Sequence, residues 1–296
     1  MTVRALEASP GLARCNDFFE LTKPRITAMV LVTTAVGFYL AEHGPLQLVP
    51  LFNTLLGTGL VSAGSCVLNM VAERAADARM RRTLHRPLPA GRLGLRESLA
   101  FGVVLAVVGL VLLWATVNPI TAGLGLAALI SYNGMYTPLK VRTPWCTWVG
   151  AVSGAIPPLM GWAAARNEID GMAWVLFGIM FLWQIPHFLA IAWLYREDYA
   201  RGGFPMLTVH DVDGRQTVRQ MALYAAALWG VSLLPTIYHA AGLWYWLSAL
   251  ILGAAFLVLN LQFRSRRTLP MARRVFLFSI IYLPVLFGIM MVDKVG

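Results

Sequence analysis

The chain has 296 residues, of which 58% are apolar and 13% are charged, and its mean hydropathy is +0.66. This composition excludes both an ordinary soluble domain, in which about 25% of residues are charged, and a disordered chain. It is typical of a protein that crosses a membrane several times, and the formal net charge of +10 has to be explained within that class.

Apolar segments long enough to cross about 30 Å of hydrocarbon recur along the whole chain. We therefore predict an all-α polytopic membrane protein with about nine transmembrane helices, forming a single domain over residues 1–296. Residues 1–22 are predicted to form a cytoplasmic N-terminal arm. The predicted spans are 26–42, 50–72, 97–116, 118–135, 146–165, 173–195, 220–240, 243–263 and 275–292.

The basic residues predict the orientation of these helices, because Lys and Arg accumulate in short cytoplasmic loops. A cytoplasmic N-terminus leaves only Arg166 and Lys294 on the far side. Topology and attraction to the lipid bilayer then explain the positive charge, and no nucleic-acid partner is predicted. Since the first residues lack the features of a secretory signal or a transit peptide, the predicted location is the bacterial plasma (inner) membrane.

A polar cluster ends the second predicted span. Asn69, Glu73 and Asp77 recur every four residues, so on a helix they form one stripe. Two carboxylates and an amide oxygen suit a hard cation such as Mg²⁺. The stripe rises about 12 Å, so all three can serve metal only if the helix unwinds near residue 74 or two ions bind. The alternative is that the carboxylates balance nearby arginines on a solvated helix end.

Arginines follow this stripe directly. Arg82 and Arg86, with Arg79 as a further candidate, can each fork around phosphate oxygens. Mg²⁺ ligands next to phosphate-binding arginines indicate a diphosphate substrate.

A second cluster follows the fourth predicted span. Tyr136 and Lys140 share a face if the segment is helical, although Pro138 makes an irregular turn equally compatible with the sequence. Lys140 can then hold a phosphate, and the alternative is a Tyr and a Lys that mark the membrane interface.

A third cluster belongs to the sixth predicted span. His187 lies nearly three helical turns before Asp198, with Gln184 close to it, and this buried polarity indicates a polar pocket or a ligand such as haem iron. The alternative is a histidine bonded to a neighbouring helix. In the fifth span, Pro157 and Pro158 are predicted to break the helix.

Together these motifs resemble the haem-farnesylating branch of the UbiA superfamily of intramembrane prenyltransferases. The resemblance runs in order through nearly the whole chain. It is carried by Thr22-Lys-Pro-Arg25, Asn69-x3-Glu73-x3-Asp77, Arg82-Thr-x2-Arg86-Pro-Leu88, Tyr136-Thr-Pro-Leu-Lys140, Gly154-x2-Pro157-Pro158-x2-Gly161-Trp162 and Trp183-Gln-x-Pro-His187-Phe188.

The resemblance implies the UbiA-type fold, Mg²⁺ as cofactor, farnesyl diphosphate as donor and protohaem IX as acceptor, giving haem O and diphosphate. It implies that Asn69, Glu73 and Asp77 bind metal and diphosphate and that Tyr136 and Lys140 contact diphosphate. Many relatives carry a second acidic motif after helix six. Tyr195 and Tyr199 stand at its carboxylate positions here, which leaves Asp198, with Glu197 as a possible companion, as the replacement metal ligand.

A mechanism follows as an expectation. Mg²⁺ with Arg82, Arg86 and Lys140 stabilises the departing diphosphate, a haem vinyl group attacks the farnesyl cation, and water captures the resulting cation. Tyr132, Asn133 and His187 are the candidates for positioning that water. Haem is thus a substrate, and haem A synthase or a terminal oxidase is the expected recipient of the product.

Two other functions also fit the sequence. One is a sister prenyltransferase that acts on an aromatic quinone precursor and shares the diphosphate end of the site. The other is a non-catalytic haem-binding or transport protein of the membrane.

Overall fold

The structure is a computed structural model that describes residues 10–295, and it is built almost entirely of helices. Residues 1–9 of the predicted arm, with Arg4 and Glu7, lie outside the described residues. The elements are α1 Pro10–Leu21, α2 Pro24–Ala41, α3 Leu48–Asp77, α4 Leu95–Thr116, α5 Pro119–Leu129, the π-helix π1 Ile130–Tyr136, α6 Thr137–Lys140, α7 Cys146–Arg166, α8 Gly171–Leu194, α9 Arg196–Gly202, α10 Leu207–His210, α11 Arg215–Val231, α12 Leu234–Ile237, α13 Leu243–Ser265 and α14 Leu269–Val292.

The all-helical membrane architecture is confirmed. Within residues 10–295, seven helical segments are long and apolar enough to span a membrane, and the only β-pairing is an isolated bridge between Ala241 and Lys294. The predicted spans 118–135 and 146–165 are helical but are not among the seven, so the count of nine stays a prediction. The first of them is divided between α5 and π1.

The arm packs on the bundle rather than standing apart from it. Helix α1 contacts α3, and Asp17 accepts a hydrogen bond from Arg92 Nε at 2.9 Å. Arg14 also pairs with Glu97 at the start of α4. These contacts hold α1, the described part of the arm, beside the loop that follows α3.

Helices α7 and α8 are the most buried long helices, and they pack against each other at the centre of the bundle. On one side α7 contacts α2, α3 and α5, and on the other side α8 contacts α11 and α14. Tight helix contacts use small residues: a Cβ on Gly161 would overlap the Thr34 carbonyl of α2.

The predicted break at Pro157 and Pro158 is wrong, because α7 runs without interruption through both prolines. Each proline removes one helical hydrogen bond, but the surrounding packing holds the helix in place. Gly37 of α2 lies directly against the Pro158 carbonyl, where a Cβ would overlap the backbone. Close packing by α2 and α8 therefore stabilises a helix that the sequence alone disfavours.

Candidate functional site

A cavity of about 480 Å³ opens between the helices at the end of α3. Most of its wall is apolar, and its polar lining comes from helices that are far apart in the sequence. Such a mostly apolar pocket with a few convergent polar groups is the usual form of a small-molecule site. Predicted site residues in its lining are Arg82, Tyr132, Tyr136 and His187, joined by Ser65, Cys66, Gln184 and Tyr199.

Asn69, Glu73 and Asp77, which we call the acidic stripe, are all buried beside this cavity. Helix α3 continues to Asp77, five residues beyond the predicted span, so it does not unwind near residue 74. The helix persists because its last turns are packed by α1, α6 and α7. Of the two ways in which the whole stripe could serve metal, only two separate ions remain.

The first and second clusters meet, as the site requires. Lys140 Nζ lies 3.0 and 2.8 Å from the two carboxylate oxygens of Glu73. Asn69 donates to Glu73 at 2.9 Å and to Thr137 Oγ1 at 3.0 Å. Glu73 is thus held by a cation and an amide, which is the environment that keeps a buried carboxylate charged.

Asp77 combines a bound oxygen with a free one. Its Oδ2 accepts from Arg86 Nη1 at 2.8 Å, and the carboxylate is only 1% exposed. Its Oδ1 is buried and has no hydrogen-bond partner among the residues that the structure describes. A buried, unpaired carboxylate oxygen is costly unless a cation or donor binds it, so the donor set here fits Mg²⁺.

The π-helix π1 determines which residues of the second cluster face the cavity. Its wider turn places the Tyr132 and Tyr136 rings in a stack with centroids 5.2 Å apart, and both line the cavity. Lys140 Nζ lies 5.5 Å from the Tyr136 ring centroid, so the expected shared face is present. π-Bulges often occur at functional sites. Pro138 lies within the helical turn α6 rather than in an irregular loop.

Asn133 lies behind this wall. Its Nδ2 donates to Ser65 Oγ at 2.6 Å, while its Oδ1 is buried without a partner among residues 10–295. Ser65 itself lines the cavity. Asn133 is therefore one side chain removed from the cavity, whereas Tyr132 reaches it directly.

The third cluster joins the first through α9. The Arg82 guanidinium lies 5.6 Å from the Tyr195 ring centroid and 5.0 Å from that of Tyr199. Asp198 Oδ1 accepts from the Arg81 backbone N–H at 3.2 Å and also pairs with Arg201. Asp198 thus connects α9 to the loop after the acidic stripe.

The contacts of Asp198 differ from those of the acidic stripe. Burial alone would raise the pKa of Asp198, but the hydrogen bonds from Arg201 and Arg81 outweigh it and lower the pKa below its usual value. Glu197 points to solvent with 87% of its side chain exposed. Within residues 10–295, no three His, Cys, Asp or Glu side chains gather at metal-binding distances, and Asp198 lines a separate cleft.

Gln184 and His187 of α8 line the cavity, and Ser279 of α14 contacts His187 from behind; we call these three residues the inner polar group. His187 Nδ1 lies 2.7 Å from Ser279 Oγ, and the imidazole stacks on Trp183 with centroids 4.8 Å apart. Gln184 Nε2 donates to the Ala151 carbonyl at 3.1 Å. The ring of His187 is oriented through Nδ1, which leaves Nε2 for a ligand.

Two residues that contact predicted site residues, Lys23 and Ser279, were not predicted from the sequence. Lys23 adopts a left-handed backbone conformation, with φ 47°, immediately before Pro24, where that conformation is doubly disfavoured. Its Nζ donates to Asn69 Oδ1 at 2.7 Å. Ser279 was missed because a serine in an apolar span carries no distinctive signal. The signal for Lys23 was its place in the Thr-Lys-Pro-Arg motif, to which no site role was given.

Comparison with known proteins agrees with the resemblance seen in the sequence motifs, and the matches extend over nearly the whole chain. The profile described as the UbiA prenyltransferase family matches residues 30–282. The chain is 46% identical over 290 residues to the protoheme IX farnesyltransferase of Solibacter usitatus, covering 95% of this chain and 99% of that one. It is 44% identical over 296 residues to the enzyme of that name from Myxococcus xanthus, covering 100% and 99%.

Solved structures share the fold at low sequence identity. A digeranylgeranylglyceryl phosphate synthase superposes with a TM-score of 0.81 at 17% identity, covering 95% of this chain and 98% of that one. A UbiA homologue from Archaeoglobus fulgidus, bound to GPP and Mg²⁺, superposes with a TM-score of 0.63 at 14% identity, covering 93% and 99%. At these identities the likeness establishes the helical fold.

Proposed function

The chain belongs to the UbiA prenyltransferase family, and from that premise we propose that it transfers a farnesyl group from farnesyl diphosphate to a vinyl group of protohaem IX. Water adds in the same reaction, and the products are haem O and diphosphate. The observation that carries this assignment is the near full-length similarity to protoheme IX farnesyltransferases. The cavity supports it, because Arg82 and His187 both line it, while Arg86 and Lys140 are held at the acidic stripe beside it.

The membrane arrangement belongs to the same proposal. We place nine spans in the bacterial inner membrane, counting α5 with π1 as one span and α7 as another. The N-terminus and the acidic stripe then face the cytoplasm, in agreement with the distribution of Lys and Arg in the loops. Farnesyl diphosphate would enter from that side.

The diphosphate end is formed by Arg82, Arg86 and Lys140, which lie around the acidic stripe. Arg86 and Lys140 are held by Asp77 and Glu73, so their cationic heads are already oriented before a substrate arrives. Cations fixed in this way stabilise the charge that develops on a departing diphosphate. The allylic C–O bond breaks heterolytically, and its electron pair leaves with the diphosphate.

The acidic stripe would hold the metal, with Asp77 Oδ1 as the free oxygen and Asn69, Glu73 and Asp198 as the further proposed ligands. When bound, Mg²⁺ supplies charge neutralisation at the diphosphate. Since α3 is continuous, Asn69 and Asp77 lie about 12 Å apart along its axis and cannot share one ion. Two ions are therefore required if both residues act as ligands.

The apolar wall of the cavity protects the farnesyl cation from bulk water. A vinyl carbon of protohaem then forms a bond to C1 of the farnesyl group, and one water adds to the new cation and loses a proton. His187 and Tyr132 both line the cavity and can position that water, whereas Asn133 acts through Ser65. His187 is also the residue that could contact the haem iron.

One experiment tests the proposal. The purified protein is incubated with protohaem, farnesyl diphosphate and Mg²⁺, and the mass of the extracted haem is measured by mass spectrometry. We expect a mass increase of one farnesyl group plus one water, and no product when EDTA is present. Unmodified haem from folded protein would contradict the assignment. Diphosphate release with an aromatic quinone precursor would then indicate a sister prenyltransferase, and haem binding without product would indicate a transport role.

The product is expected to pass to a haem A synthase or to a terminal oxidase. Haem O carries a long apolar farnesyl chain and is made within the bilayer, so a membrane protein is the expected recipient.

A further inference from the structure

A second cleft, of about 410 Å³, opens where α8 ends and α14 begins. It shares no lining residue with the large cavity. Its walls include Trp193, Leu269 and three arginines, Arg196, Arg201 and Arg267. They also include the carboxylates of Glu197 and Asp198, both of which pair with Arg201, so Arg196 and Arg267 supply the net positive charge. The cleft therefore combines positive charge with apolar surface at the edge of the bundle.

Arg196 and Arg267 are held in place by contacts that do not neutralise their charge. The Arg196 guanidinium lies 5.5 Å from the Trp193 ring centroid, and Arg267 Nη1 donates to the Asp213 carbonyl at 2.6 Å. Neither forms an ion pair within residues 10–295, whereas Arg201 is paired with Asp198. An arginine that rests on an aromatic ring or a carbonyl keeps N–H groups for an anion, and its planar fork suits phosphate oxygens.

The apolar side of the cleft continues along α14. Leu269 is 56% exposed at the first turn of the helix. Arg273 follows it on the same face and is also exposed, and Leu277, Ile281 and Val285 are exposed at four-residue intervals beyond Arg273. Side chains four apart lie on one face, so Leu277, Ile281 and Val285 form an apolar track that begins beyond Arg273 and runs along the spanning helix. A free phosphate would use the arginines and leave the track uncovered.

We propose that this cleft binds an anionic phospholipid, with Arg196 and Arg267 as ligands of its phosphate and the α14 track in contact with an acyl chain. The site lies at the same end of the bundle as the acidic stripe, because α9 connects the two. Arg196 begins α9, Asp198 accepts from the Arg81 N–H, and Tyr199 lines the large cavity. A bound lipid would hold α9 in the position that completes the cavity wall.

The test uses the full chain in detergent and counts bound phosphatidylglycerol by native mass spectrometry during a titration. The cleft variant is Arg196→Gln/Arg267→Gln. The matched control is Arg264→Gln/Arg266→Gln, which removes the same charge from exposed residues of the adjoining segment that do not line the cleft. We expect the cleft variant to bind phosphatidylglycerol about thirtyfold more weakly, and the control to bind within threefold of the unmodified chain.

Three outcomes would overturn the proposal. Equal losses of phosphatidylglycerol binding in both double variants would mean that the arginines contribute only general positive charge at this side of the membrane and do not form a specific site. Equal retention of phosphatidylcholine and phosphatidylglycerol would remove the role of headgroup charge. If millimolar inorganic phosphate or diphosphate displaced the lipid, and added phosphatidylglycerol vesicles had no effect, the ligand would be a free anion. If the double variant does not fold, Arg267→Gln alone is measured, since Arg267 is exposed.

Discussion

The two ends of the large cavity hold their polar groups in different ways. At the acidic stripe, Glu73 is paired with Lys140 of α6, and Asp77 is paired with Arg86 of the loop that follows α3. At the inner polar group, His187 is held by a neutral hydrogen bond to Ser279 and by stacking on Trp183. Under the proposed function, the charged end would bind and release the diphosphate, and the neutral aromatic end would receive the acceptor. The predictions below test whether the two ends bind different substrates.

The largest expected effect is at the acidic stripe. Asp77→Asn keeps the size of the side chain but removes the charge that binds both Arg86 and a cation at Oδ1. We expect kcat for haem O formation to fall about 10³-fold. The measurement is the rate of product formation by mass spectrometry at saturating substrates.

The matched control for this variant is Asp213→Asn. It makes the same chemical change in a carboxylate that is 59% exposed, pairs with Arg215 and does not line the cavity. Activity within twofold of the unmodified chain is expected for the control. Comparable losses in both variants would show that Asp77 matters only through general charge, and the division between the two ends would fail.

The second prediction concerns the buried pair of Glu73 and Lys140, whose effects on stability and on activity can be measured separately. Lys140→Met leaves Glu73 buried and without its cation, which should lower the free energy of unfolding by about 3 kcal/mol. The double variant Glu73→Gln/Lys140→Met removes both charges and should recover most of that loss. Thermal unfolding in detergent measures the first effect.

Activity gives the second readout of the same pair. Since Lys140 is proposed to bind the diphosphate, the double variant should stay at least tenfold below the unmodified chain in kcat/KM for farnesyl diphosphate. Full recovery of both stability and activity would mean that the Glu73–Lys140 pair is structural only.

Variants of the inner polar group should weaken the binding of protohaem rather than that of farnesyl diphosphate. His187→Phe keeps the aromatic packing but removes both ring nitrogens, and we expect KM for protohaem to rise about tenfold while KM for farnesyl diphosphate stays within twofold. Ser279→Ala removes only the orienting hydrogen bond and should give a smaller rise, of about fivefold. A rise in KM for farnesyl diphosphate instead would contradict the assignment of the two ends.

The sequence predicted the parts of this comparison that depend on local pattern. Apolar runs gave the positions of the helices, and the four-residue spacing predicted the buried stripe of Asn69, Glu73 and Asp77. Pairings between distant segments could not be predicted, because Lys140 with Glu73 and His187 with Ser279 depend on how helices pack.

Local rules also failed where packing outweighs them. Pro157 and Pro158 should end a helix, but α2 and α8 hold α7 together around them. Lys23 should avoid a left-handed conformation before a proline, but its hydrogen bond to Asn69 and its place between α1 and α2 maintain that conformation. Strain of this kind, at one or two positions near a site, costs about 1–3 kcal/mol each and is typical of functional regions.

The smallest expected effect concerns a carboxylate outside both ends. Asp211 precedes α11, and its Oδ2 accepts from the Thr217 backbone N–H at 2.6 Å in the first turn of that helix. Burial alone would raise the pKa of Asp211, but the Thr217 hydrogen bonds outweigh it and lower the pKa below its ordinary value of 3.8. The carboxylate is thus the stabilising form.

A lowered folded-state pKa sets the sign of the pH dependence. The contribution of Asp211 to stability is complete above its unfolded pKa near 3.8 and is lost as pH falls through the lower pKa of the folded protein. Asp211→Ala should lower the free energy of unfolding at pH 7 by about 1 kcal/mol, and the difference from the unmodified chain should shrink below pH 4. Thermal unfolding measured from pH 7 to pH 3 tests this. Both KM values should stay unchanged at pH 7, because Asp211 contacts neither end of the cavity, and a change in either would show that the start of α11 is coupled to the site.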